Sequence, residues 1–227
     1  MTAVRPADGV AAPVPVVPGS LGLLGGTFDP VHHGHLLIAE EARESLGLER
    51  VLLVPAAAPP HKPGRPVTAA EHRLAMLELA VASNPALAVS GMELERGGVS
   101  YSVDTLRALR VERGPEADLP WFILSTEALA EFPTWREPGS ILELCRLAVV
   151  PRGGYEPLDM RWVSVNFPGR EDRVRFLSGP LLQISGSVVR RRAAVGRSVR
   201  YLVPDAVAAY IGEHHLYTDP AWRTSTP

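Results

Sequence analysis

Lysine is almost absent from this 227-residue chain: of its 23 basic residues, Lys62 alone is lysine and the rest are arginine. A sequence that uses arginine wherever charge alone suffices keeps lysine where a compact ammonium is needed and a planar fork will not do, which singles out "PPHKP" (59–63). Cysteine is as scarce. One residue, Cys145, excludes an internal disulfide framework and a cysteine zinc cage, and a reducing cytoplasmic compartment is expected. Net charge is also missing. A formal −2, with 46% hydrophobic and 21% charged residues, gives no global basic field, so neither nucleic acid nor a membrane surface is an expected partner. No uninterrupted apolar run approaches the roughly 18 residues needed to span a bilayer, and the prolines of "VAAPVPVVPG" forbid the helical core of a signal peptide. Residues 1–18 read as a disordered or polyproline-like extension. Two common nucleotide fingerprints are missing as well: no G-x-G-x-x-G and no Gly-Lys-Ser/Thr loop can be written.

What the chain does have is alternation. Apolar runs at 21–25, 50–55, 86–91, 121–125 and 145–152 read as strands. Between and after them lie helical patterns from His33 to Leu46, Thr68 to Ser83 and Ser102 to Arg113, then around 185–194 and in "PDAVAAYIGEHH", with Pro204 at its start. Strands of continuous Val/Leu/Ile separated by helices predict an α/β fold: a Rossmann-like, doubly wound parallel sheet with helices on both faces, in a single domain. In such sheets ligands lie at the carboxyl ends of the strands. The unusual stretches all fall there: "GGTFDPVHHGH", "PAAAPPHKPGR", "GGVSYS" and "STEALAEFPTW".

The first of these, residues 25–35, has the chemistry of an anion site. Gly25 and Gly26 are expected to let the backbone turn sharply and approach a ligand, and the helix that follows aims its free N–H groups into the same space. His32 and His35, three apart, share a face, with Gly34 expected to leave room for substrate; two imidazoles there can donate to a phosphoryl group in its transition state. The three histidines could alternatively hold a metal, but no Cys, Asp or Glu sits at matching spacing. Asp29 reads as a turn former before Pro30. The run "RRR" (190–192) points to different faces of a helix and does not make a nucleic-acid patch.

"GGTFDPVHHGH" resembles the G-x-F-x-P-x-H-x-G-H signature of the nucleotidyltransferase superfamily, and "ISGSVVR" (184–190) resembles its second motif, I-S-S-T-x-x-R. The sequences "LVPAAAPPHK", "HRLAMLELA", "SYSVDTL", "FILSTEALAEFPTW", "VVPRGG" and "YLVPDAVAAYI" recur in the order found in the bacterial nicotinate mononucleotide adenylyltransferase family, and the likeness spans about residues 20–217. The resemblance implies transfer of the adenylyl group of ATP to nicotinate mononucleotide, giving deamido-NAD and pyrophosphate by direct in-line attack in NAD biosynthesis. It implies ATP contacts from Gly25, Gly26, Thr27, Phe28, His32, His35, Ser125, Glu127, Ser185, Ser187 and Arg190. Mononucleotide contacts are implied for His61, Lys62, Tyr101, Ser102 and Trp135, with His32, His35, Lys62 and Arg190 carrying the catalysis. Read without the resemblance, Trp135 is a rim aromatic packing on the core. Mg2+ would be held mainly by ATP phosphates, with no protein metal site. The catalytic domain is expected over 19–217, with 218–227 a tail, and homo-oligomer formation is left open. The family usually has Gly-x-Asp where this chain has Ser125-Thr126-Glu127, Ser where it has Gly186, and Thr where it has Ser102. Alternatives are another phosphate acceptor, such as phosphopantetheine or nicotinamide mononucleotide, and a non-catalytic nucleotide-binding module.

Overall fold

A computed structural model of the chain describes residues 14–59, 67–151, 153–154, 157–179 and 182–224. Six parallel strands form one sheet in the order β3-β2-β1-β4-β5-β6: β1 (Val17–Gly26), β2 (Leu48–Pro55), β3 (Leu87–Val89), β4 (Trp121–Ser125), β5 (Arg146–Val150) and β6 (Val174–Phe176). The order reverses between β1 and β4, so a crevice opens at their carboxyl ends, where Gly26 pairs in register with Pro55 and Ser125 with Val150. The helices are α1 (His33–Leu46), α2 (Ala70–Val81), α3 (Met92–Arg96), α4 (Ser102–Arg113), α5 (Thr126–Glu131), α6 (Pro138–Leu144), α7 (Met160–Asn166), α8 (Gly186–Ala194) and α9 (Asp205–Glu213).

The alternation of side chains along each strand builds two cores. Leu24, Ile123, Ala148 and Val150 face α1, α2, α8 and α9, where they meet Ala39, Met76, Val189 and Val207. Leu23, Phe122, Leu124, Leu147 and Val149 face the other way, onto Leu106 of α4, Leu129 of α5 and Ile141 of α6. Burial on both faces explains why these strands read as unbroken apolar runs.

The predicted helices over 33–46 and 102–113 and the strand over 121–125 have the observed bounds. β1 differs: it begins at Val17, inside the segment expected to be an extension, because the Val17 N–H donates to Gly47 O (2.9 Å) and Ser20 Oγ to the same carbonyl (3.2 Å). Residues 1–13 of that segment lie outside the described residues. The short elements α3, α5, α6, α7 and β6 were not anticipated. α7 is started by Asp159, whose carboxylate accepts from the N–H groups of Arg161 (2.9 Å) and Trp162 (3.3 Å), and α6 by Pro138 in its first turn. The C-terminal residues are no free tail either, since a 3-10 turn over Pro220–Thr224 packs back against α8.

Candidate functional site

β1 runs straight through Gly25 and Gly26, and the turn comes later. Phe28 holds the left-handed conformation (φ 49°), and the Asp29–Pro30 peptide is cis. The expectation that the two glycines make the turn is therefore corrected. Gly26 instead gives room to the Phe28 ring, which a Cβ there would meet at 3.2 Å. Phe28, expected beside ATP, is 1% exposed and lies edge-on to His35 with ring centroids 4.9 Å apart, so its side chain backs the site from the core.

The loop is fastened from beneath by residues for which the sequence suggested no role. Arg73 of α2 is buried and donates to three carbonyls: Thr27 (2.9 Å), Ala56 (2.7 Å) and Thr68 (2.9 Å). Burial pulls its guanidinium below the usual arginine range, opposed by the nearby Asp29 carboxylate. Its signal was legible: Arg73, Met76, Leu77 and Val81 are the buried residues of α2, so the arginine occupies a position of the apolar stripe. Asp29 is more than a turn former. Its carboxylate accepts from the buried Tyr217 hydroxyl (2.8 Å) and from the Thr68 N–H (3.2 Å). Burial, and next the Asp29 charge, push the Tyr217 phenol well above its usual range, so it stays a donor.

α1 begins directly after the loop. His32 is buried and stacks on His35 with centroids 3.7 Å apart and planes 20° from parallel. The His32 N–H donates to His35 Nδ1 (3.3 Å), so a neutral His35 carries its proton on Nε2, and the residue lines the cavity. Gly34 lines the same cavity and also gives room to this pair: a Cβ there would lie 3.0 Å from His32 Nδ1.

The second motif meets the first through backbone. Ser185 caps α8, its hydroxyl accepting from the Val188 N–H (3.3 Å). Arg190 donates to Ser187 Oγ (3.3 Å) and to the Asp29 carbonyl. A Cβ at residue 186 would lie 2.8 Å from that carbonyl oxygen and 3.1 Å from Arg190 Nη1. Glycine in place of the family's serine is what this close approach requires.

Two adjoining cavities fill the crevice. One, of about 270 Å³, is lined by Gly25, Gly26, His32, His35, Ser125 and Trp135 among others; its neighbour, of about 380 Å³, by Thr27, Tyr101, Ser102, Glu127, Trp135 and Arg136. Trp135 stands between them and packs edge-on against Phe132 (5.4 Å) and Phe122 (6.0 Å), so it is a rim aromatic and a cavity wall at once. Tyr101, the N-cap of α4, lies 4.7 Å beneath the Arg136 guanidinium. Ser125 adopts extended backbone (φ −82°) and caps α5 by accepting from the Ala128 N–H (3.3 Å), so this position accommodates a side chain without a glycine's freedom. Buried Glu93, not singled out in the sequence, accepts from Thr105 Oγ1 (2.5 Å) at the cavity wall. His61 and Lys62 lie outside the described residues. Among the described residues no group of three or more His, Cys, Asp or Glu is arranged to hold a metal ion.

A 3-2-1-4-5-6 sheet with an imidazole pair at its switch point and a serine-capped second helix facing it defines a nucleotidyltransferase. Residues 23–192 match the model of the cytidylyltransferase-like family, and the chain belongs to that family and, within it, to the nicotinate-nucleotide adenylyltransferases. A protein of Thermomicrobium roseum named "probable nicotinate-nucleotide adenylyltransferase" is 48% identical over 91% of this chain and 96% of its own length. One of the same name from Roseiflexus sp. is 47% identical over 87% and 97%. The fold is shared with a solved Plasmodium falciparum nicotinic acid mononucleotide adenylyltransferase complexed with NaAD. Its TM-score is 0.72 and its identity 16%, over 88% of this chain and 97% of that one.

Proposed function

We propose that this chain transfers the adenylyl group of ATP to the phosphate of nicotinate mononucleotide, releasing pyrophosphate and forming deamido-NAD. One observation carries the reading: the histidine pair and Trp135 wall the same crevice, so a phosphate and a flat heteroaromatic ring can be held in one continuous space. The relatives named for this activity agree with it.

In this reading the triphosphate lies along Gly25, Gly26 and Thr27 at the N-terminus of α1, where backbone N–H groups and the helix dipole favour negative charge. His35, through Nε2–H, and His32 stabilise charge as it moves onto the leaving pyrophosphate. Ser185, Ser187 and Arg190 hold phosphate oxygens from α8, and Ser125 and Glu127 face the adenosine. Trp135 stacks on the pyridine ring, and Tyr101 and Ser102 at the start of α4 receive its carboxylate. Lys62 and His61 are the further phosphate contacts of this reading.

The reaction forms a bond from a mononucleotide phosphate oxygen to the α-phosphorus and breaks the bond from that phosphorus to the oxygen bridging the α- and β-phosphates, which leaves as a terminal oxygen of pyrophosphate. A phosphate monoester is already an anion near neutral pH, so the nucleophile needs no general base, and catalysis reduces to alignment and charge neutralisation. Magnesium would enter as a counter-ion of the ATP substrate, held mainly by its phosphate oxygens. The catalytic domain runs from the start of β1 at Val17 through residue 217, together with the packed turn over Pro220–Thr224. A cytoplasmic setting fits the single, buried cysteine, and no described helix is long and apolar enough to cross a membrane.

Incubation with ATP, magnesium and nicotinate mononucleotide is expected to give one pyrophosphate per deamido-NAD, and absence of product overturns the proposal. Trp135→Ala is expected to raise KM for the mononucleotide far more than KM for ATP; equal effects would remove the stacking role.

A further inference from the structure

The residues after α9 lie beyond the segment that matches the family model, which ends at residue 192, yet they reach both signature motifs. Tyr217 is 3% exposed and donates to Asp29 Oδ1 (2.8 Å). Its ring meets that of Trp222 edge-on, with centroids 5.5 Å apart and planes at 86°. Trp222 in turn lies under the Arg190 guanidinium, 5.0 Å from its Cζ. The same arginine donates to the carbonyl of Asp29. One short segment thus fixes the residue whose carbonyl receives Arg190 and supplies the face on which Arg190 rests.

That arrangement suits a phosphate-binding arginine. A guanidinium held over an aromatic ring is restrained in position while its N–H groups remain able to donate to acceptors around it. A long side chain already held in its working orientation loses less freedom when a phosphate arrives. Gly186 completes the setting, because any side chain there would push the Asp29 carbonyl and Arg190 apart.

We infer that the C-terminal segment Tyr217–Trp222 is part of the nucleotide site, with Trp222 a positioning residue that acts through Arg190 on the phosphates of ATP. The inference rests on the assignment of Arg190 to phosphate made above. It is tested by a cycle in which ATP affinity, with magnesium present, is measured calorimetrically for the wild type, Trp222→Ala, Trp222→Phe, Arg190→Ala and the Arg190→Ala/Trp222→Ala double variant.

Trp222→Ala is expected to weaken ATP binding about fivefold or more, the loss of one cation–π contact at a partly buried site. Trp222→Phe, which keeps a face for the guanidinium, is expected to recover at least half of that loss on a logarithmic scale. In the Arg190→Ala background the tryptophan change should cost less than about twofold, because the group it positions is gone. A purely structural role would lower affinity equally in both backgrounds. That result, an absent effect of Trp222→Ala, or failure of Trp222→Phe to recover affinity overturns the inference. A protein that binds ATP but makes no deamido-NAD would refute the acceptor assignment and leave this cycle readable, whereas a wild type that does not bind ATP would overturn both.

Discussion

His35 is held in place by its neighbours: its Nδ1 accepts from the His32 N–H, and the Phe28 ring closes one side. In the proposed mechanism it acts through the Nε2 proton. Replacing it with alanine removes a donor to charge that develops in the transition state, so kcat is expected to fall about 100-fold or more while thermal stability changes little. Steady-state rates with saturating substrates check this, and a near-normal kcat would refute the role. Among single residues, those whose function is local were the most legible. The placement of His32, His35 and Ser185 at helix starts is legible in the sequence, since a helix start needs only a few adjacent residues to define it. What escaped were roles set by distant partners. Gly34 lines the cavity, but its second requirement, room for the His32 ring, has no trace in the local sequence. Gly25 and Gly26 were assigned the turn that Phe28 makes. The substitution at Gly186 is explained only by a carbonyl 157 positions away in the chain, at Asp29.

At the level of elements, α2 does more than cover the sheet. Arg73 ties the ends of β1 and β2 and the start of α2 to one guanidinium, so the first loop cannot shift without breaking charge-assisted hydrogen bonds. Arg73→Met keeps the length and apolar stem but leaves three carbonyls without this donor. At about 1–3 kcal/mol for each buried group left unsatisfied, the loss in unfolding free energy is expected to reach about 3 kcal/mol or more. Urea denaturation followed by circular dichroism measures it, and a change below about 1 kcal/mol would show the arginine to be dispensable for the loop. The long elements were legible because α1 and α4 each carry an extended periodic pattern and β4 an unbroken apolar run. β6 has three residues, of which only Val174 is buried, and α5 has six, too few for either period to declare itself.

Across the whole molecule, the sheet and its single domain followed from alternation, because parallel strands buried on both faces leave a strong compositional trace. The packing of the C-terminal segment onto the first loop left no such trace. Tyr217 and Asp29 are 188 positions apart, and nothing local in either stretch announces the other. Both ends of the chain thus meet near the β1–β4 crevice, whose two adjoining cavities share a wall at Trp135. The central claim is the identity of that acceptor. The most direct test compares pyrophosphate release from ATP and magnesium with nicotinate mononucleotide, nicotinamide mononucleotide and phosphopantetheine, each taken to kcat/KM. The account predicts the highest value for the nicotinate compound and none above background for phosphopantetheine; a higher value for phosphopantetheine, or silence with all three while ATP still binds, would contradict it.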